Sequence, residues 1–153
     1  MILFARCAMF SAIAISFLIT APVSAAQKCR PTPWDQIGPF YRPGAPLRTK
    51  IGSGYILSGT VRSATDCRPI PGARIEFWQA GMDGTYDDAH RATIIADNKG
   101  RYRLETDFPV PYGQRPPHIH ILVDLRGFAG LISQHYPQRN KKKATFDLVL
   151  APE

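Results

Sequence analysis

Fourteen Pro and twelve Gly punctuate this 153-residue chain, and that punctuation constrains the fold more than any other feature. Between the breaks lie only short runs, and none carries the three-to-four-residue apolar spacing of an amphipathic helix. Strand signals fill them instead: YILSGTVRS (55–63), ARIEFWQA (73–80), RATIIA (91–96), RYRLET (101–106), PHIHILVDL (117–125), AGLISQHY (129–136) and ATFDLVL (144–150). RYRLET alternates charged and apolar residues with period two, and DNKG (97–100) before it is a strong turn. Seven or more short strands without helices predict an all-β fold, an antiparallel β-sandwich. Ahead of them, residues 28–47 hold five Pro in twenty positions and show no period. They read as an extended Pro-rich N-terminal arm, with Trp34, Phe40 and Tyr41 available to pin it to the body.

The first 25 residues are of another kind. Arg6 is followed by an apolar run from about Cys7 to Thr20, then by small residues at Val23 and Ala25. That is the layout of a secretory signal peptide cleaved after Ala25, and the run is short for a membrane span. The expectation is a secreted or periplasmic protein with a single domain over 26–153 and no stable membrane span once the signal is removed. Cys7 leaves with the signal, and two thiols remaining in an oxidising compartment predict a Cys29–Cys67 disulfide. The formal net charge is +7, but apart from Arg139 and Lys141–Lys143 it is thinly spread. Without aromatics on a recognisable module this excludes a nucleic-acid partner. The lysine run reads as a solvated loop with a weak pull on anions.

PYGQRPPHIHI (111–121) carries the chemistry. In a strand, alternate side chains share a face, so His118 and His120 point one way and Ile119 the other. Two imidazoles on one face form half of a metal site, or simply a polar strand face. Tyr112 stands six residues earlier across a Pro-containing loop and can fold back toward them. Tyr86 sits in the turn-rich MDGTYDD loop (82–88). Asp87, Asp88 and Asp124 have no distinctive spacing to the His pair.

These stretches, with GPFYRPGAP (38–46), LSGTVRSATDCRPIPGARIEFWQA (57–80), DGTY (83–86), DNKGRYRLET (97–106), PYGQRPPHIH (111–120) and SQHY (133–136), resemble the intradiol ring-cleavage dioxygenases, the family of catechol and protocatechuate dioxygenases. The resemblance spans about residues 38–150. It implies a mononuclear non-haem Fe(III) site with Tyr86, Tyr112, His118 and His120 as ligands. Phenolates are hard anionic donors that favour ferric iron. It further implies that Tyr112 gives way to a catechol bound through both oxygens. Arg115 would balance the electron-rich ring, and Gln134 would hydrogen-bond near the Arg and the substrate. The partners implied are a small aromatic diol and dioxygen, and the product is a muconate-type diacid; a homo-oligomer is left open. The loop between Tyr112 and His118 and the segment after Gln134 are both shorter than in the well-known cytosolic enzymes, and the helical N-terminal dimerisation region is missing. Arg42, Arg48, Arg74 and Arg91 are candidates to read a substrate carboxylate. Two rivals remain: a secreted transthyretin-like binding module without redox activity, and a periplasmic zinc or copper site.

Overall fold

Lys50–Ile51 (β1), Tyr55–Ser63 (β2), Arg74–Trp78 (β3), Arg91–Ile95 (β4), Arg101–Thr106 (β5), Ile119–Asp124 (β6), Leu131–His135 (β7), Lys143–Thr145 (β8) and Leu148–Leu150 (β9) form two sheets in the computed structural model. The structure describes residues 29–153; the signal peptide expected over 1–25 lies outside them. Among the described residues there is no α-helix, and no helix long and apolar enough to cross a membrane. The all-β sandwich is therefore the fold, and each of the seven predicted runs contains strand.

One sheet runs β4-β3-β6-β7 and is antiparallel throughout. The other runs β1-β5-β2-β8, with β9 also on β2. Its centre, β2 against β5, is antiparallel. Its margins depart from expectation, since β1 joins β5 in parallel and β8 and β9 join β2 in parallel. The two-residue β1 is too short to carry a period, so the sequence did not announce it.

The last predicted strand, 144–150, is split in two, and Gly59 explains the break. A Cβ there would stand 2.1 Å from the carbonyl oxygen of Phe146, so only glycine lets the two backbones meet. β8 pairs with residues 56–58 on one side of this contact and β9 with residues 61–63 on the other. Between them the Asp147 carboxylate accepts from the Thr60 N–H at 2.9 Å and from Arg62 at 2.8 Å. The ladder is interrupted, but its polar groups stay satisfied.

The core lies between the sheets. Tyr55, Leu57, Val61 and Leu104 of one sheet meet Ile75, Phe77, Ile119 and Ile121 of the other, all fully buried. The opposite face of the four-stranded sheet is covered by the arm instead of by a second sheet. Its register lines up Gln134, His120, Trp78 and Arg91 across β7, β6, β3 and β4. The arm crosses this row strand by strand. The Gln36 carbonyl accepts from Gln134 Nε2, Gly38 lies against His120, Tyr41 packs on Trp78 with centroids 5.0 Å apart, and the carbonyls of Arg42 and Pro43 accept from Arg91. Trp34, expected to help pin the arm, does not: it is 67% exposed. The arm begins at the predicted Cys29–Cys67 disulfide, which is present.

Closing a loop of this size, with a sequence separation of 38, is worth about 4 kcal/mol in the chain-entropy model. Replacing Cys29 with Ser is expected to lower unfolding free energy by roughly that amount, read by denaturant melts of oxidised protein and variant. Coincident curves would mean that the bond does not fasten the arm.

Candidate metal and active site

Three nitrogen and oxygen atoms converge over the His120–Trp78 part of that row. Tyr86 Oη lies 3.2 Å from His118 Nε2 and 3.4 Å from His120 Nε2, and the two Nε2 atoms are 3.1 Å apart. Both imidazoles are 2% exposed. His118 Nδ1 donates to the Pro116 carbonyl at 2.7 Å. A carbonyl can only accept, so His118 Nε2 carries its lone pair into the cluster. The Gln36 backbone approaches the His120 ring, yet His120 Nδ1 is buried without a partner in hydrogen-bonding geometry.

Each donor is held by its own local structure. His120 is a mid-sheet residue whose ring is stacked on Trp78, centroids 4.8 Å apart and planes 5° from parallel. A Cβ on Gly38, whose φ is +73°, would come within 3.0 Å of Cε1 of that ring. Tyr86 projects from a loop tied by Asp83, whose carboxylate accepts from the Thr85 N–H and hydroxyl at 3.0 and 2.8 Å. These bonds hold Asp83 below the usual carboxylate range. Phe40 of the arm stacks on the Tyr86 ring at 4.5 Å, 13° from parallel, and meets Tyr112 edge-on at 5.1 Å.

Tyr112 is the outlying member. Its ring stands edge-on to Tyr86 at 5.6 Å, and it is 38% exposed. It shares a two-residue hairpin with Arg115: each backbone N–H donates to the other's carbonyl, at 3.3 and 3.0 Å. Gly113 takes the first central position with φ +57°, which primed turns require.

Arg115 is aimed by a network that crosses from arm to sheet. Its Nη2 donates to Gln134 Oε1 at 2.7 Å and to Tyr136 Oη at 3.1 Å. Tyr136 in turn donates to Asp35 of the arm at 2.8 Å. Burial and the Asp35 charge both push the Tyr136 phenol up. The Gln134 position beside Arg115 agrees with the sequence expectation. Asp35, Gly38, Phe40, Trp78 and Tyr136 were not singled out for the site. Only strand register could have found Trp78, as the residue opposite His120.

Burial shapes the protonation of the cluster. Desolvation, with smaller contributions from His118 and Arg115, pushes His120 down to about 3, and desolvation also lowers His118. Desolvation pushes Tyr86 up to about 12, partly offset by Arg115. The imidazoles are therefore neutral and the phenol protonated, unless a cation is present to favour the phenolate.

The donor set fits a metal. Ligand atoms held about 2.0–2.1 Å from a shared ion, as for metal–imidazole bonds, are themselves about 3 Å apart, which is the spacing seen here. Among the described residues no group of three or more His, Cys, Asp or Glu is gathered for a metal; this cluster relies on phenols. Asp87 and Asp88 serve elsewhere, on His90 and on Arg42 and Arg91.

A family profile described as Dioxygenase matches residues 42–151. The chain belongs to the intradiol ring-cleavage dioxygenases. It is 31% identical over 138 residues to a chlorocatechol 1,2-dioxygenase of Pseudomonas putida, covering 68% of this chain and 53% of the relative. It is 32% identical over 141 residues to a catechol 1,2-dioxygenase of Acinetobacter baylyi, covering 67% and 45%. The chain thus spans about half the length of the curated relatives it matches. Among solved structures it resembles the dioxygenase domain of a dioxygenase–carbohydrate-binding fusion from Streptomyces sp. SirexAA-E. That match has 28% identity and a TM-score of 0.72, over 81% of this chain and 100% of that one.

The four arginines offered as carboxylate readers all have partners within the chain. Arg42, Arg48, Arg74 and Arg91 are all committed within the fold: Arg42 to Asp88, Arg74 to Glu76, Arg48 to the carbonyls of Asp88, Ala89 and Arg91, and Arg91 to Asp88 and the arm.

The lowered imidazoles set a pH dependence in metal-free protein. The unfolded chain takes up protons near 6.5, whereas folded His120 does so only near 3. Stability is therefore present above 6.5 and is lost as pH falls toward 3. Melting temperatures should fall across this window, and His120→Gln should flatten the slope. An equal slope in the variant would remove His120 from the effect.

Proposed function

We propose that this chain is a non-haem Fe(III) intradiol dioxygenase that opens a small catecholic ring between its two hydroxyl-bearing carbons. The observation that carries the reading is the convergence of Tyr86 Oη, His118 Nε2 and His120 Nε2 within 3.1–3.4 Å of one another, beside a second phenol. Tyr86, Tyr112, His118 and His120 would hold the iron. Ferric iron supplies a Lewis-acidic, redox-active centre that makes a bound catecholate reactive toward dioxygen.

The chain's own groups have distinct parts. His118 keeps its lone pair inward because its other nitrogen is bonded to Pro116. Trp78 stacks on the His120 ring, and Gly38 lies close to its Cε1. Tyr112, half-exposed on a hairpin and outside the tight triangle of donors, is the ligand suited to give way to a substrate oxygen. Arg115 offers a fixed positive charge to the electron-rich ring and to the carboxylates that develop, at an angle set by Gln134 and Tyr136. Both atoms of dioxygen enter the product, one C–C bond breaks, and the muconate-type diacid forms without an external reductant.

Residues 26–153 form the mature domain in this reading, exported to the periplasm or beyond; the disulfide supports an oxidising compartment.

Protein purified in air with iron supplied is expected to show a visible phenolate-to-iron band that shifts when catechol is added, and to release a muconate. A protein that stays colourless after iron loading would mean that the phenols do not bind ferric iron. Arg115→Leu should lower kcat/KM by about 10²–10³, as loss of one charge-stabilising group does, with iron content and colour retained. Unchanged kinetics would return Arg115 to the surface.

A further inference from the structure

Lys141, Lys142 and Lys143 follow one another at the entry to β8. All three are exposed, and among the described residues none forms an ion pair. They leave a turn in which the Lys141 N–H donates to the Gln138 carbonyl at 3.2 Å and run into β8. Lys143 lies on an edge strand, where charge discourages pairing with other chains. Lys141 and Lys142 precede the strand, so that explanation does not cover them.

The solvated loop expected from the sequence also forms one wall of a cavity of about 650 Å³. His135 and Tyr136 contribute ring surface to it, Tyr55 backs it from the core, and no Asp or Glu lines it. Tyr55 is fully buried, and its hydroxyl is 2.7 Å from His135 Nε2, so these two polar groups satisfy each other. Burial pushes His135 down to about 4, which leaves the lysines as the charge of the cavity at neutral pH. Flat ring surface with uncompensated ammonium groups beside it suits a ligand that has one ring and one anionic group.

We propose that this cavity is a binding site for small aromatic carboxylates, with Lys141–Lys143 on the carboxylate and His135 and Tyr136 against the ring. It stands apart from the iron reading and does not depend on it. The two sites share a wall at Tyr136, whose ring lines the cavity while its hydroxyl touches Arg115.

The test is calorimetric titration of 4-hydroxycinnamate, which lacks the vicinal diol, into the purified protein at low and high salt. Saturable binding is expected. It should weaken by about tenfold or more in K141Q/K142Q/K143Q, with high salt, and when the neutral amide of the same acid replaces it. Arg115→Leu should leave the affinity within about twofold. The substituted lysines are exposed, and a thermal melt checks that the triple variant is folded; the amide tests the same charge in unmodified protein. Absence of saturable binding, equal affinity for acid and amide, or a loss in Arg115→Leu matching that in the triple variant would overturn the proposal.

Discussion

The site depends on an extended segment laid across a sheet. Gln134, His120, Trp78 and Arg91 form one row because cross-strand partners share a face, and the arm meets each of them in turn. Without the arm, His120 would lose the backbone packed over its ring, Tyr86 its stacking partner Phe40, and Arg115 the Asp35 end of its network. The sandwich core would remain, since it faces the other way. Fold and site thus use opposite faces of the same four strands, and the segment with no regular structure joins the second face into a working surface.

That division explains what could be read from sequence. Short strand-like runs between Pro- and Gly-marked breaks, with no helical period, gave the sandwich. His118 and His120 were legible as a pair because alternate residues of a strand share a face. The route of the arm was not, because a Pro-rich segment has no period to read. Nor was the partnership of Asp35 with Tyr136, whose residues lie 101 positions apart and meet only through the fold. The split between β8 and β9 was hidden because it arises from a backbone contact at Gly59 rather than from anything within 144–150.

Charge follows a similar logic. The excess of basic residues suggested free cations, but much of it is internal bracing. Arg91, 7% exposed, ties β4 to the arm through backbone carbonyls, and Arg48 clasps the end of the loop that carries Tyr86. Guanidinium groups suit such work because several fixed donors can each find an acceptor. Lysines do it less well, and they are where uncommitted charge collects.

The hairpin bearing Tyr112 and Arg115 has a mechanical side. Two backbone hydrogen bonds join these residues, and only Gly113 and Gln114 separate them, so neither main chain can swing while the other stays behind. A phenol that withdrew by backbone motion would carry the guanidinium with it as a single lever, pulling on Gln134 and Tyr136. A phenol that withdrew by side-chain rotation alone would leave the charge where it was. The turn therefore confines any independent retreat of the phenol to its own χ angles, and keeps the fixed charge still while the oxygen moves.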